Sequence, residues 1–175
     1  MRKKDQPKLW LCLYLPNLAL EVFYPSGPKQ PPNDGLKPIA IIQQQRIEAL
    51  SYHAAATGLR VGTMASHAYA LCENLTCIEK SAAKERRALA QIAQWLYEFT
   101  PNVCPYGDQH LILEVSSSLK LFSGLNHLKY LIEEKTTRLG YTPKLGVSQT
   151  PLAAKISAEI DCPDNHQQPP GIALK

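Results

Sequence analysis

The sequence predicts an α+β fold, on three observations. Two amphipathic helical patterns, at 81–101 and 124–140, are separated by short runs of strand-forming residues and not by further helices. Two of those runs, near 102–106 and 110–115, flank a Gly107-Asp108 turn, the signature of a hairpin and therefore of antiparallel pairing. The chain has 175 residues, 45% hydrophobic and 19% charged, which is enough to bury one ordinary core with one small insertion and is far from the composition of disordered chains.

Taken in order, "KLWLCLYLPN" (8–17) is a continuous apolar run that stops at Pro16, the pattern of a strand buried on both faces. "YPSGPKQPPNDGLK" (24–37) is rich in proline and glycine and reads as an irregular surface loop. "PIAIIQQQRIEALSY" (38–52) reads as two short strands around a polar turn. "TGLRVGTMASHAYALCENL" (57–75) supplies a glycine-rich turn and a short helix capped by Thr63, with Met64, Ala68, Leu71 and Cys72 on one side. The block from about 17 to 78 is thus expected to be a small inserted subdomain.

In the helix at 81–101, Leu89, Ile92, Ala93, Leu96 and Phe99 or Thr100 recur at helical spacing and Pro101 ends it. Lys84, Glu85, Arg86 and Arg87 form its opposite face, expected to be solvated. The helix at 124–140 carries Leu125, Leu128, Leu131, Ile132 and Leu139 and closes at Gly140. "PKLGVS" (143–148) is a strand, and "TPLAAKISAEI" (150–160) opens a helix with Thr150 at the cap and Pro151 in the first turn. With the inserted block set aside, the order is βαββαβ followed by a final helix. That is the ferredoxin-like order, an antiparallel sheet with helices on one face. Polymerase palms and nucleotide cyclases share it, so the order alone does not give a function.

Several function classes are disfavoured by composition. No apolar run approaches the roughly 18 residues of a membrane span, so the chain is expected to be soluble and cytoplasmic. Five scattered cysteines (Cys12, Cys72, Cys77, Cys104, Cys162) without a CxxC pair suggest neither a disulfide framework nor a zinc site. His53, His67, His127 and His166 show no ligand spacing. A net charge of +4 with a pI near 8.8 permits contact with nucleic acid without requiring it.

A phosphoryl-transfer site on such a sheet requires two metal ions about 4 Å apart, held by two or three convergent carboxylates. The strand ends that should meet are the exit of the first strand and the hairpin mouth. Between Lys8 and Leu20 there is no acidic residue, and across the sheet stand Asp108, Gln109 and His110. Asp108 takes the place of a missing ligand only by a one-residue slip, which turns Leu111, Leu113 and Val115 to the wrong face.

Three segments carry a family resemblance. "LSYHAAATGLRVGTMASHAYALCENLTCIEK" (50–80), "GDQHLILEV" (107–115) and "LGVSQTPLAAKISAEIDCPDN" (145–165) resemble, in order and spacing, the fingers, catalytic hairpin and final palm helix of Y-family, UmuC-like translesion DNA polymerases. The resemblance implies a palm at 1–16 and 79–175, ending at the start of the thumb, and a fingers subdomain at 17–78, with the thumb and little finger expected to be absent from this chain. It places the family's first metal-binding aspartate on Leu13 and its aspartate-glutamate pair on Gln109 and His110. The triphosphate-gripping arginine falls on Ala55 and the lysine on Cys162, while the tyrosine of the same site is kept as Tyr52. The aromatic sugar gate falls on Leu18. Leucine binds no metal, and Gln with His lacks the negative charge that two divalent cations beside a triphosphate need.

This pattern of loss is similar to the ImuB-type, catalytically degenerate branch, as are "LWLCLYLP" and "SSLKLFSGL" (117–125). The resemblance implies a non-catalytic accessory protein with no metal and no cofactor, nucleoid-associated in the cytoplasm. Its partners would be an error-prone replicative-type DNA polymerase, a RecA- or SulA-like protein and the sliding clamp. Weak, salt-dependent DNA binding is expected, with Tyr52, Arg60 and Lys84 to Arg87 as candidate contacts. In "SLKLF" (118–122), which looks like a clamp-binding pentapeptide, Leu121 and Phe122 are expected to be packed. The alternative is an active polymerase with atypical ligands, or a truncated palm and fingers.

Overall fold

The computed structural model describes residues 8–25 and 37–160 and has a mixed α+β architecture. In chain order the elements are β1 (Trp10–Tyr14), α1 (Leu18–Glu21), β2 (Ile39–Gln43), β3 (Arg46–Leu50), α2 (Tyr52–Ala56), α3 (Ala65–Leu71), β4 (Thr76–Glu79) and α4 (Ala82–Leu96), then β5 (Val103–Pro105), β6 (His110–Glu114), α5 (Leu125–Arg138), β7 (Lys144–Ser148) and α6 (Pro151–Glu159). They form two sheets. One is four-stranded, in the order β5-β6-β1-β7 with every pairing antiparallel, and the other is three-stranded, in the order β3-β2-β4.

The four-stranded sheet is buried on both faces, and side-chain alternation divides its residues cleanly. Leu11, Leu13 and Leu15 of β1 and its exit join Leu111, Leu113 and Val115 and Val147 in a core closed by Ala88, Leu89, Ile92 and Leu96 of α4 and Leu128 and Ile132 of α5. The other parity, Trp10, Cys12 and Tyr14 with Ile112, lies under Ala154 and Ala158 of α6. The sheet therefore carries helices on both faces, which departs from the one-faced arrangement expected from the element order. Gly146 explains how closely α6 approaches: a Cβ there would stand 2.2 Å from the Ala158 nitrogen and 2.3 Å from the Ala154 oxygen.

In the three-stranded unit, Ala40, Ile42 and Ile47 pack on Ala54, Leu59, Ala65, Ala68 and Cys72. Two of its elements are not evident in the sequence: α2, where the Ser51 side chain accepts from the Ala54 nitrogen at 3.3 Å, and β4, which pairs in parallel with β2. The α3 expectation is corrected in two respects. Its N-cap is Met64 and no side chain caps it, so Thr63 does not; and its buried stripe is Ala65, Ala68 and Cys72, while Met64 and Leu71 are exposed.

A buried carboxylate ties the start of the chain to the approach to β7. Glu21 is 2% exposed and accepts from the Thr142 backbone nitrogen at 3.1 and 3.2 Å and from its hydroxyl at 2.5 Å. Burial raises the Glu21 pKa and these bonds oppose the rise.

Candidate functional site

The exit of β1 and the mouth of β6 do meet, and their register says which side chains share a face. Tyr14 pairs with His110 and Leu13 with Leu111, and the Leu15 nitrogen donates to the Gln109 carbonyl at 3.0 Å. His110 therefore lies on the α6 face with Tyr14 and Cys12. Leu13 points the opposite way, fully buried against α4 and α5, and so does Leu18. Of the positions singled out in the sequence, Gln109 and His110 stand next to each other at the strand mouth, and the structure does not bring Leu13 or Leu18 onto the face of His110.

His110 is held on every side. Its ring stacks on Tyr14 with centroids 4.5 Å apart and planes 8° from parallel. Its Nε2 lies 3.1 Å from a Glu159 oxygen that sits off the N–H direction, so the contact is electrostatic without an aligned hydrogen bond. Glu159 in turn takes a hydrogen bond from Lys155 Nζ at 2.8 Å, which holds its carboxyl below the usual range. Burial pushes the His110 pKa down, the Lys155 charge adds to that, and Glu159 opposes it. Beneath the imidazole, burial and then the Glu159 charge push the Cys12 thiol up to about 12, so it is no nucleophile.

The remaining candidates are dispersed. Tyr52 begins α2 and is 74% exposed, meeting only the edge of the His53 ring among its described ring contacts, at 5.8 Å. Ala55 is exposed on the same helix. Cys162 and His166 lie outside the described residues. Arg60, Arg86 and Arg87 are exposed, and Lys84 Nζ stands 4.0 Å above the Phe23 ring. Glu85 corrects the solvated-face expectation, because it is 2% exposed with Lys80 Nζ 3.9 Å away. In "SLKLF", Phe122 packs on Phe99 at 5.3 Å, but Leu121 is 78% exposed and so is not packed.

Sequence reasoning missed Tyr14, Lys155 and Glu159 as the partners of His110. The i,i+4 spacing of Lys155 and Glu159 announces their ion pair; nothing in the sequence says that Glu159 reaches across the sheet. Among the described residues no group of three His, Cys, Asp or Glu is placed to hold a metal ion, and no helix is long and apolar enough to cross a membrane.

Residues 34–159 match the sequence model of the impB/mucB/samB family. DNA polymerase IV of Exiguobacterium sibiricum is 28% identical over 129 residues, covering 73% of this chain and 34% of that protein. Protein ImuB of Caulobacter vibrioides is 29% identical over 114 residues, covering 65% of this chain and 25% of that protein. The chain thus spans about a third or less of these curated relatives. In three dimensions it is similar to the Dbh ternary complex, with a TM-score of 0.67 and 15% identity, and to DinB from Sulfolobus solfataricus, with a TM-score of 0.63 and 16% identity. Each of these matches covers 89% of this chain and 46% of the other. The fold is that of Y-family polymerase structures, and with more than half its length matched by the family model, this chain belongs to the impB/mucB/samB family.

Proposed function

We propose that this chain is a non-catalytic, Y-family polymerase-like accessory protein of error-prone translesion DNA synthesis and DNA repair. In this reading the four-stranded sheet with α4 and α5 is a ferredoxin-like palm (residues 1–16 and 79–175, running to the start of a thumb). The three-stranded unit belongs to a fingers subdomain at 17–78.

One observation carries the proposal: His110 and the carboxylate beside it, Glu159, are already engaged with Tyr14 and Lys155. A two-cation centre calls for two or three convergent carboxylates with free lone pairs. Among the described residues, the mouth end of the His110 face offers Cys12, Tyr14, His110 itself and one carboxylate, Glu159, already engaged by Lys155, while Glu114 lies at the far end of β6 and Asp108, in the turn, lines a separate cleft. Gln109 adds a neutral amide. These residues do not fit a pair of divalent cations. The exposed Tyr52, unaccompanied by an arginine at position 55, makes a poor grip for a triphosphate.

The chain then acts by contact, joining an error-prone replicative-type polymerase, a RecA- or SulA-like protein and the sliding clamp. DNA affinity is weak and falls steeply with salt. The likeness to ImuB supports this assignment. A second reading, template-directed polymerase, draws on the relatives called DNA polymerase IV.

Primer extension with Mg²⁺ or Mn²⁺ separates the two: the scaffold reading expects no incorporation above buffer, and template-directed incorporation refutes it. A pull-down against the three partners tests the hub role, which fails if none is retained.

A further inference from the structure

On the far side of the same hairpin lies a second polar site. A cleft of about 150 Å³ opens where the end of β2, the β4–α4 junction and the turn before β6 converge, lined by Gln43, Lys80, Glu85, Arg86 and Asp108. That is roughly ten times the 10–15 Å³ one water needs. Glu85 lines it while only 2% exposed, and its Oε1 has no hydrogen-bond partner among the described residues. A buried carboxylate oxygen without a donor is costly, and native structures normally satisfy it.

The other groups define what would satisfy it. Lys80 Nζ is committed, hydrogen-bonded to Glu48 at 2.9 Å and 3.9 Å from Glu85 Oε2. With the Gln43 amide oxygen and nitrogen exchanged, the orientation that lets its nitrogen donate to Glu48 at 3.2 and 2.9 Å, its oxygen is left to accept. The uncommitted atoms are thus acceptors: Glu85 Oε1, the Gln43 oxygen and the exposed Asp108 carboxylate. Burial raises the Glu85 pKa, Lys80 opposes that, and Glu48 and Asp108 add to it, so a further cationic donor is favoured electrostatically. A divalent ion is a poor candidate, because no three ligands converge among the described residues and the Lys80 ammonium stands in the wall. Phosphate is repelled by the carboxylates.

We propose that this cleft receives a guanidinium or ammonium head, the tip of a basic side chain presented by a protein partner. Three acceptors match its several N–H donors, with the Glu85 oxygen forming the charge-assisted bond. Arg86 stands exposed at the rim and competes for the same acceptors. The assignment deepens the scaffold reading and rests on it only for the source of the side chain. Binding of a free probe is independent of partners and of DNA synthesis.

The test is titration of the ¹⁵N-labelled chain with N-acetyl-arginine methylamide, following the amides of Ala82, Glu85 and Asp108. Saturable shifts in the millimolar range are expected. E85Q should weaken binding by at least about tenfold, the loss of one charge-assisted hydrogen bond. D108N, on the exposed rim and neutral for folding, should weaken it about threefold, and R86A should strengthen it. Shifts that do not saturate, that survive both E85Q and D108N, or that Mg²⁺ alone reproduces would overturn the proposal. The scaffold reading would stand in each of those cases.

Discussion

Replacing Gly146 by alanine tests the packing that shapes the strand mouth. The new Cβ would lie 2.2 Å from the Ala158 nitrogen, 2.3 Å from the Ala154 oxygen and 2.7 Å from the Ser157 carbon, all backbone atoms that no rotamer change can clear. Reaching ordinary contact near 3.4 Å moves α6 outward by 3.4 − 2.2 = 1.2 Å. A gap of about 0.5–1 Å already forfeits a quarter to a half of each dispersion contact, here those of Ala154 and Ala158 on Cys12 and Ile112. Overpacking costs about 1–3 kcal/mol, and the lower chain entropy of alanine returns about 0.4–1 kcal/mol of it. G146A is therefore expected to lose about 1–2 kcal/mol in urea unfolding, as a lower midpoint with an unchanged slope. Because Glu159 travels with α6, the His110 imidazole resonances should shift as well. A midpoint within error of wild type, with those resonances unmoved, would refute the packing of α6 on Gly146.

Other substitutions probe the same architecture. Leu13→Asp places a carboxylate in the core facing α4 and α5 and should abolish folding, whereas Leu13→Met, close in volume, should be tolerated; circular dichroism distinguishes them. Glu21→Ala strands the Thr142 N–H and hydroxyl and should cost about 2–4 kcal/mol, with Glu21→Gln recovering part of it, both read from urea midpoints. Acidification has a defined sign at His110, whose folded-state pKa is depressed below the ordinary 6.5: its contribution is present above 6.5 and is lost as pH falls from there toward the folded value. Glu21 and Glu85, with raised values, act oppositely between 4.5 and their folded pKa values. The change in urea midpoint from pH 7.5 to 5.5 should thus be more negative in the wild type than in His110→Gln.

The sequence carried the framework well where periodicity was unambiguous. The stripe from Leu89 to Leu96 and the one from Leu128 to Ile132 marked α4 and α5, and Gly107-Asp108 marked the β5–β6 hairpin. It carried the faces of β1 poorly. "LWLCLYL" is apolar at both parities, so alternation cannot say whether Leu13 or its neighbours look toward the strand mouth; α6, distant in sequence, decides. Glu85 misled for a related reason. It stands among Lys84, Arg86 and Arg87 like any solvated charge, yet Lys80, at the end of a strand pairing in parallel with β2, provides the counter-charge that lets it be buried. That parallel pairing also hid β4, since its partner is more than thirty residues away and no turn signal announces it. His110 was legible as a position; its confinement by Tyr14, Glu159 and Lys155 was not.

The central claim is that the strand mouth cannot clasp divalent cations. Titrating the chain with Mn²⁺ and dATP while following the free Mn²⁺ signal by electron paramagnetic resonance measures this directly. The account predicts that the signal of added Mn²⁺ matches that of Mn²⁺ with dATP alone. A stoichiometric loss of two Mn²⁺ per chain, abolished by substituting Gln109 and His110, would contradict it.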